Sequence, residues 1–243
     1  MKSSVMAHLV AHYPTGPASL EVGRELVRAG VSFLEVQFPF SDPTADGPAI
    51  QAACTQALEA GFRSADGFAL VETLTAESSV PVFIMTYASV VVSHGVEWFT
   101  ARAAQAGASG LIVPDLPPDY DEGLYAAGRE AGLHVVPVLV PSAAPERVEV
   151  ALATRPSYVY AALRKGITGA ATEIGAENIT FLEGLKERGV HVMAGFGIRS
   201  REQVEALHGH ADTVVVGSAF VDVISRHESV SDLARELVSG PAL

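Results

Sequence analysis

Eight times along this chain a β-rich apolar run is followed by a stretch with helical spacing, and that alternation limits the possible folds more than any other feature. The runs span 4–10, 32–37, 80–85, 109–114, 134–140, 157–162, 190–195 and 213–218. Many are continuously apolar, the pattern of strands buried on both faces of a parallel sheet. Gly30, Gly107, Gly132 and Gly189 each close a helical pattern just before a strand begins, as C-terminal stop residues do. Ser200 followed by Gln203 reads as a capping box opening a helix that carries Val204 and Leu207. The segment 61–78 adds helix beyond the single one that each unit requires. Eight such units in 243 residues predict an α/β fold of the (β/α)8 TIM-barrel type. A doubly wound open sheet is the alternative, but the turn after the first strand, HYPTGP, has no glycine-rich dinucleotide fingerprint. No linker or shift in composition divides the chain, so residues 1–243 are read as one domain.

A net charge of −12 argues against nucleic acid or an anionic membrane as partner, since both reward clustered Lys and Arg. Every apolar run is interrupted before the ~18 residues that a membrane span needs. The opening stretch MKSSVMAHLV makes a poor signal peptide. Cys54 is the sole cysteine, which excludes an intrachain disulfide and fits a reducing cytoplasm. The eight histidines form no pair with convincing metal-ligand context. His8 is expected inside the barrel as a hydrogen-bonded core residue, and His12 lies near enough to the active face to touch a ligand.

Chemistry in such a barrel gathers at the C-terminal ends of the strands and in the loops that follow. Glu35 lies near the end of the second strand, inside LEVQFPFSDPTADGP, and Asp46 lies in the loop beyond it. An inward Glu35 would be a carboxylate in an apolar mouth, its pKa raised by desolvation and suited to proton transfer near neutral pH. Asp46, in a turn with backbone donors and more water, is expected to stay ionised, so the two acids can divide acid and base work. The plainer reading is that Glu35 pairs elsewhere and that the aspartates serve turn chemistry. GFGIRS (195–200) follows the seventh strand, GSAF (217–220) the eighth, and GITGA (166–170) the sixth. Glycine lets backbone N–H groups approach an anion, and 218–224 predicts a short helix whose N-terminus attracts phosphate, with the Ser218 hydroxyl placed to donate.

These residues carry a resemblance over nearly the whole chain to the alpha subunits of tryptophan synthase. It rests on LEVQFPFSDPTADGPAIQ (34–51), GLIVPDLPP (110–118), Tyr87 after the third strand, RKGITG (164–169), GFGI (195–198) and GSA (217–219). The resemblance implies an aldol-type lyase that cleaves indole-3-glycerol phosphate to indole and glyceraldehyde 3-phosphate in tryptophan biosynthesis. Glu35 then matches the acid/base glutamate, Asp46 the aspartate that accepts the indole N–H, and Tyr160 a site tyrosine close to the glutamate. Thr168 matches the threonine of a loop that closes over the site; Gly169, Phe196, Gly197, Gly217 and Ser218 match positions around phosphate and indole; Met85 and Tyr87 are candidates to line the ring pocket. No metal or cofactor is implied, because the protonated indole ring is the electron sink. The implied partner is a PLP-dependent beta subunit in an α2β2 assembly, contacted through the DPTADGP and PDLPP loops. The alternatives are a glycerol-phosphate-binding barrel that activates a beta subunit without catalysis, or another phosphosugar barrel isomerase. The chain departs from the family at Gln37, where glycine is common, at His12-Tyr13-Pro14 in place of G-D-P, and at Ser89 in place of asparagine. The family's usual helix before the first strand has no counterpart here. Gln37 is expected to crowd or re-aim the loop.

Overall fold

A computed structural model describes residues 2–163 and 174–239. Its parallel strands are β1 (Ser4–Val10), β2 (Phe33–Gln37), β3 (Val82–Met85), β4 (Gly110–Ile112), β5 (His134–Val136), β6 (Val138–Leu139), β7 (Tyr158–Ala162), β8 (His191–Gly195) and β9 (Thr213–Val216). They pair in the order β5-β4-β3-β2-β1-β9-β8-β7-β6. The predicted strand 134–140 is therefore two short strands divided at Pro137, which has no N–H to donate to a ladder. Pro137 still accepts from Tyr160 N–H at 2.9 Å. Because β5 pairs with β4 while β6 pairs with β7, this one bent run closes the sheet, and the eight predicted runs form the barrel.

The helices are α1 (Gly16–Arg28), α2 (Pro48–Glu59), α3 (Ser64–Glu77), α4 (Ala88–His94), α5 (Val96–Gln105), α6 (Leu124–Glu130), α7 (Pro145–Ala153), α8 (Ala176–Glu187), α9 (Arg201–Ala206), α10 (Ser218–Ser225) and α11 (Val230–Val238). Their starts follow from local chemistry. Thr15 accepts from Ala18 N–H to cap α1, and the side chain of Gln203 accepts from Ser200 N–H at 3.2 Å in the capping box predicted for α9. The four stop glycines adopt φ between 76° and 92° before the next strand, a region a Cβ disfavours. The extra helix of 61–78 is α3, and the short helix of 218–224 is α10.

Strand alternation sorts the core into two compartments. Leu34 and Val36 pack outward among the residues beneath the helices, whereas Met6, Phe83, Met85, Ile112, Val136, Tyr160, Met193 and Val215 fill the barrel. At the N-terminal strand ends, Phe33, Phe83, His134, Tyr158 and His191 meet ring to ring with centroids 5.0–6.4 Å apart. This aromatic floor closes the barrel below and leaves its C-terminal end for the site.

Candidate active site

The C-terminal mouth holds a cavity of about 770 Å3, counting its open entrance, within the range of small-molecule sites. Its walls include Glu35, Asp46, Met85, Tyr160, Phe196, Gly197, Gly217 and Ser218, all expected at the site from sequence. Thr168 and Gly169, with Arg164 and Lys165, lie outside the described residues.

Glu35 shares the parity of Phe33 on β2 and so turns inward, with only 5% of its surface exposed. Its Oε2 lies 2.7 Å from His8 Nδ1. The β1–β2 register sets these two residues side by side. Oε1 makes no hydrogen bond among the described residues, so the carboxylate keeps one oxygen for other work. His8 is the hydrogen-bonded interior histidine that was expected, but its partner is the candidate catalytic acid and its ring belongs to the cavity wall.

The surroundings of Asp46 correct the sequence reading. It is as buried as Glu35 rather than placed in a hydrated turn. Its Oδ2 accepts from the side-chain amide of Gln37 at 2.7 Å and from the Tyr87 hydroxyl at 2.8 Å. Burial raises its pKa; the Gln37 bond, the neighbouring His8 and the Tyr87 bond oppose that rise, and the charge of Glu35 adds to it. Gln37 therefore ties the loop after β2 to the strand through Asp46, where crowding was expected.

Tyr87 also departs from expectation. It is fully buried behind the cavity, stacks on Phe40 at 5.4 Å, and accepts from Ala45 N–H at 3.1 Å while donating to Asp46. It orients a carboxylate instead of lining a ring pocket. His12 lies away from the cavity, over Gly16 and edge-on to Phe62. Cys54 is buried and its thiol is pushed up to about 12, chiefly by burial and then by Asp46, which leaves it inert.

Tyr160 stands at the centre of the barrel. Burial, then the charges of Glu35 and Asp46, hold its hydroxyl well above the usual tyrosine value, so it stays protonated. A Cβ at position 195 would lie 2.2 Å from that hydroxyl, so β8 can end there only in glycine. The next residue, Phe196, takes φ +71°, unfavourable for an aromatic side chain, and sets its ring edge-on to Tyr160 at 5.6 Å. Gly197 continues with φ +89°. Gly217 precedes α10, which directs its N-terminal dipole at the cavity through Ser218. Arg199 had no place in the sequence reading, although it directly follows G-F-G-I. Its Nη1 donates to Ser218 Oγ at 3.0 Å and its Nη2 pairs with Asp222, which brings a cation to the glycine end of the cavity.

Parallel strands closed into a barrel, with two buried carboxylates and glycines around one C-terminal cavity, define a TIM-barrel enzyme with a small-molecule site at its mouth. The sequence model of the family described as tryptophan synthase alpha chain matches residues 1–239, and the chain belongs to that family. Similar relatives include the tryptophan synthase alpha chain of Helicobacter hepaticus, 36% identical over 96% of this chain and 90% of the relative. That of Leifsonia xyli subsp. xyli is 37% identical over 98% and 92%. Among solved structures, tryptophan synthase of Mycobacterium tuberculosis superposes with a TM-score of 0.90 at 34% identity, over all of this chain and 93% of that one. The tryptophan synthase complex of Pyrococcus furiosus gives 0.87 at 30% identity, over 97% and 98%. Among the described residues, no cluster of His, Cys, Asp or Glu suits a metal ion, and no helix is long and apolar enough to cross a membrane.

Proposed function

We propose that this protein cleaves indole-3-glycerol phosphate to indole and glyceraldehyde 3-phosphate as the alpha subunit of a tryptophan synthase. The observation that carries the reading is the pair of buried carboxylates, Glu35 and Asp46, on one cavity with the glycine-ended strands β8 and β9. Glu35 delivers a proton to indole C3. Asp46, its Oδ2 already taken by Gln37 and Tyr87, accepts the indole N–H through Oδ1 and stabilises the positive ring. Glu35, now a carboxylate, takes the proton of the hydroxyl on the carbon attached to C3. The carbon–carbon bond breaks, its electrons return to the ring, and the hydroxyl carbon becomes the aldehyde. The ring is the electron sink, so the cycle calls for no cofactor. Tyr160 supplies a permanently protonated hydroxyl beside the two acids. Met85 and Phe196 flank the indole. Gly197, Gly217 and Ser218 receive the phosphate, and Thr168 and Gly169 complete and close the site as the resemblance implies.

The reading includes a PLP-dependent beta subunit in an α2β2 assembly, one alpha domain spanning the family match, and a cytoplasmic location. Tyr120, 75% exposed in the 3-10 turn Pro118–Tyr120, gives the PDLPP loop an aromatic group for a partner surface. The purified chain should release indole from indole-3-glycerol phosphate, and a beta subunit should increase the rate. Turnover unaltered in both Glu35→Gln and Asp46→Asn would sink the assignment.

A further inference from the structure

Two side-chain polar atoms among the described residues are buried without a hydrogen-bond partner, His8 Nε2 and Gln37 Oε1. The first belongs to a ring in the cavity wall that is 2% exposed. Its other nitrogen is engaged, with Nδ1 2.7 Å from Glu35 Oε2. With Nδ1 committed to Glu35, Nε2 is the ring atom left to bond a ligand hydroxyl, which can donate to it or accept from it. A buried polar atom left unpaired costs stability. Here the ring that carries the unpaired atom lines the substrate cavity, and a ligand hydroxyl is the partner that cavity can bring to it. The ring lies against Gly217, whose Cβ, if present, would be 3.7 Å from His8 Cγ. His8 thus stands between the proton-transfer acid and the glycine end that would take the charged tail. The chain linking those two parts of the substrate carries hydroxyl groups.

We propose that His8 has two functions in this site: Nδ1–H fixes the orientation of Glu35, and Nε2 hydrogen-bonds a hydroxyl of the substrate's glycerol chain. The proposal rests on the assignment made above. In this role His8 positions the acid and selects a hydroxylated chain. The ionisable groups around it are Glu35 from β2, Asp46 from the following loop and Tyr160 from β7.

Three substitutions separate the two functions. Asn places an amide nitrogen where Nδ1 stands, Gln places an amide group where Nε2 stands, and Phe keeps the ring without either. His8→Phe should lower kcat/KM by roughly 10- to 100-fold, the scale of a lost hydrogen bond to a charged group. His8→Asn should recover most of kcat and leave KM raised, whereas His8→Gln should recover KM and leave kcat low. Binding of 3-(indol-3-yl)propyl phosphate, which has no glycerol hydroxyls, should stay within about twofold of wild type in His8→Phe by calorimetry. The proposal fails if folded His8→Phe, or His8→Asn where the Phe variant does not fold, keeps both kcat and KM within about twofold of wild type. It also fails if the propyl analogue loses affinity as much as the substrate does. A wild-type chain that releases no indole would instead overturn the assignment itself.

Discussion

Asp46→Asn removes one charge with almost no change of shape, and its consequences for stability can be worked from the site. An Asn oxygen can still accept from Gln37 and from Tyr87, which reach Oδ2 at 2.7 and 2.8 Å in the wild type. What disappears is the ionisation of a buried carboxyl whose pKa is raised above its ordinary value, first of all by burial. Below about pH 4 the acid carries its proton in both folded and unfolded chains and contributes no difference. As pH rises, the unfolded chain ionises freely while the folded one resists, so wild-type stability is lost until the folded pKa has been passed. Each tenfold elevation of the folded proton affinity is worth about 1.4 kcal/mol. For a chain of this size that corresponds to about 3–6 °C in Tm. Melting curves by circular dichroism from pH 4 to pH 8 should therefore show the Tm of Asp46→Asn gaining on wild type from the acid end and levelling once the folded pKa has been passed. The same variant should lose about 100- to 1,000-fold in indole release, the scale of removing one preorganised group that stabilises charge developing on the substrate. A Tm difference that is flat across this range, or that shrinks as pH rises, would refute the account of Asp46 as a carboxylate ionised against its surroundings.

Two further substitutions test the rest of the site. Gly195→Ala sets a Cβ 2.2 Å from the Tyr160 hydroxyl and 3.0 Å from Val215 Cβ, and should cost about 1–3 kcal/mol in urea unfolding. Adding Tyr160→Phe removes the clashing oxygen and should recover part of that loss, so strict additivity of the two changes would contradict the packing described. Ser218→Ala removes a hydroxyl at the start of α10 and the oxygen that accepts from Arg199 at 3.0 Å. It should raise KM roughly tenfold with kcat little changed; a fall in kcat at constant KM would place Ser218 away from the phosphate.

The barrel was legible in the chain because its signals are local. Continuous apolar runs, the stop glycines and the Ser200–Gln203 cap each depend on backbone preferences over a few residues, and each appears where the pattern predicted it. The one strand misjudged, 134–140, breaks at Pro137, a residue present in the run but outweighed there by its apolar neighbours. Glu35, Asp46 and the glycines of β8 and β9 were also readable, because strand ends in this architecture converge on one mouth.

The partners of the two acids were not readable. His8 looked like a core histidine, and only the parallel register of β1 against β2 turns it into the neighbour of Glu35. Gln37 looked like an obstruction, and Tyr87 like part of a ring pocket; folded, they reach the same oxygen of Asp46 from the end of β2 and from the turn after β3. The sequence by itself determined the alternation of elements, the closure of the sheet and the end at which chemistry gathers, all of which follow from short-range sterics and from the period of apolar residues. Tertiary structure alone decided the surroundings of each acid, how deeply it is buried and which hydrogen bonds it accepts. Desolvation and hydrogen bonding act through space, between residues whose separation along the chain says nothing of their separation in the fold.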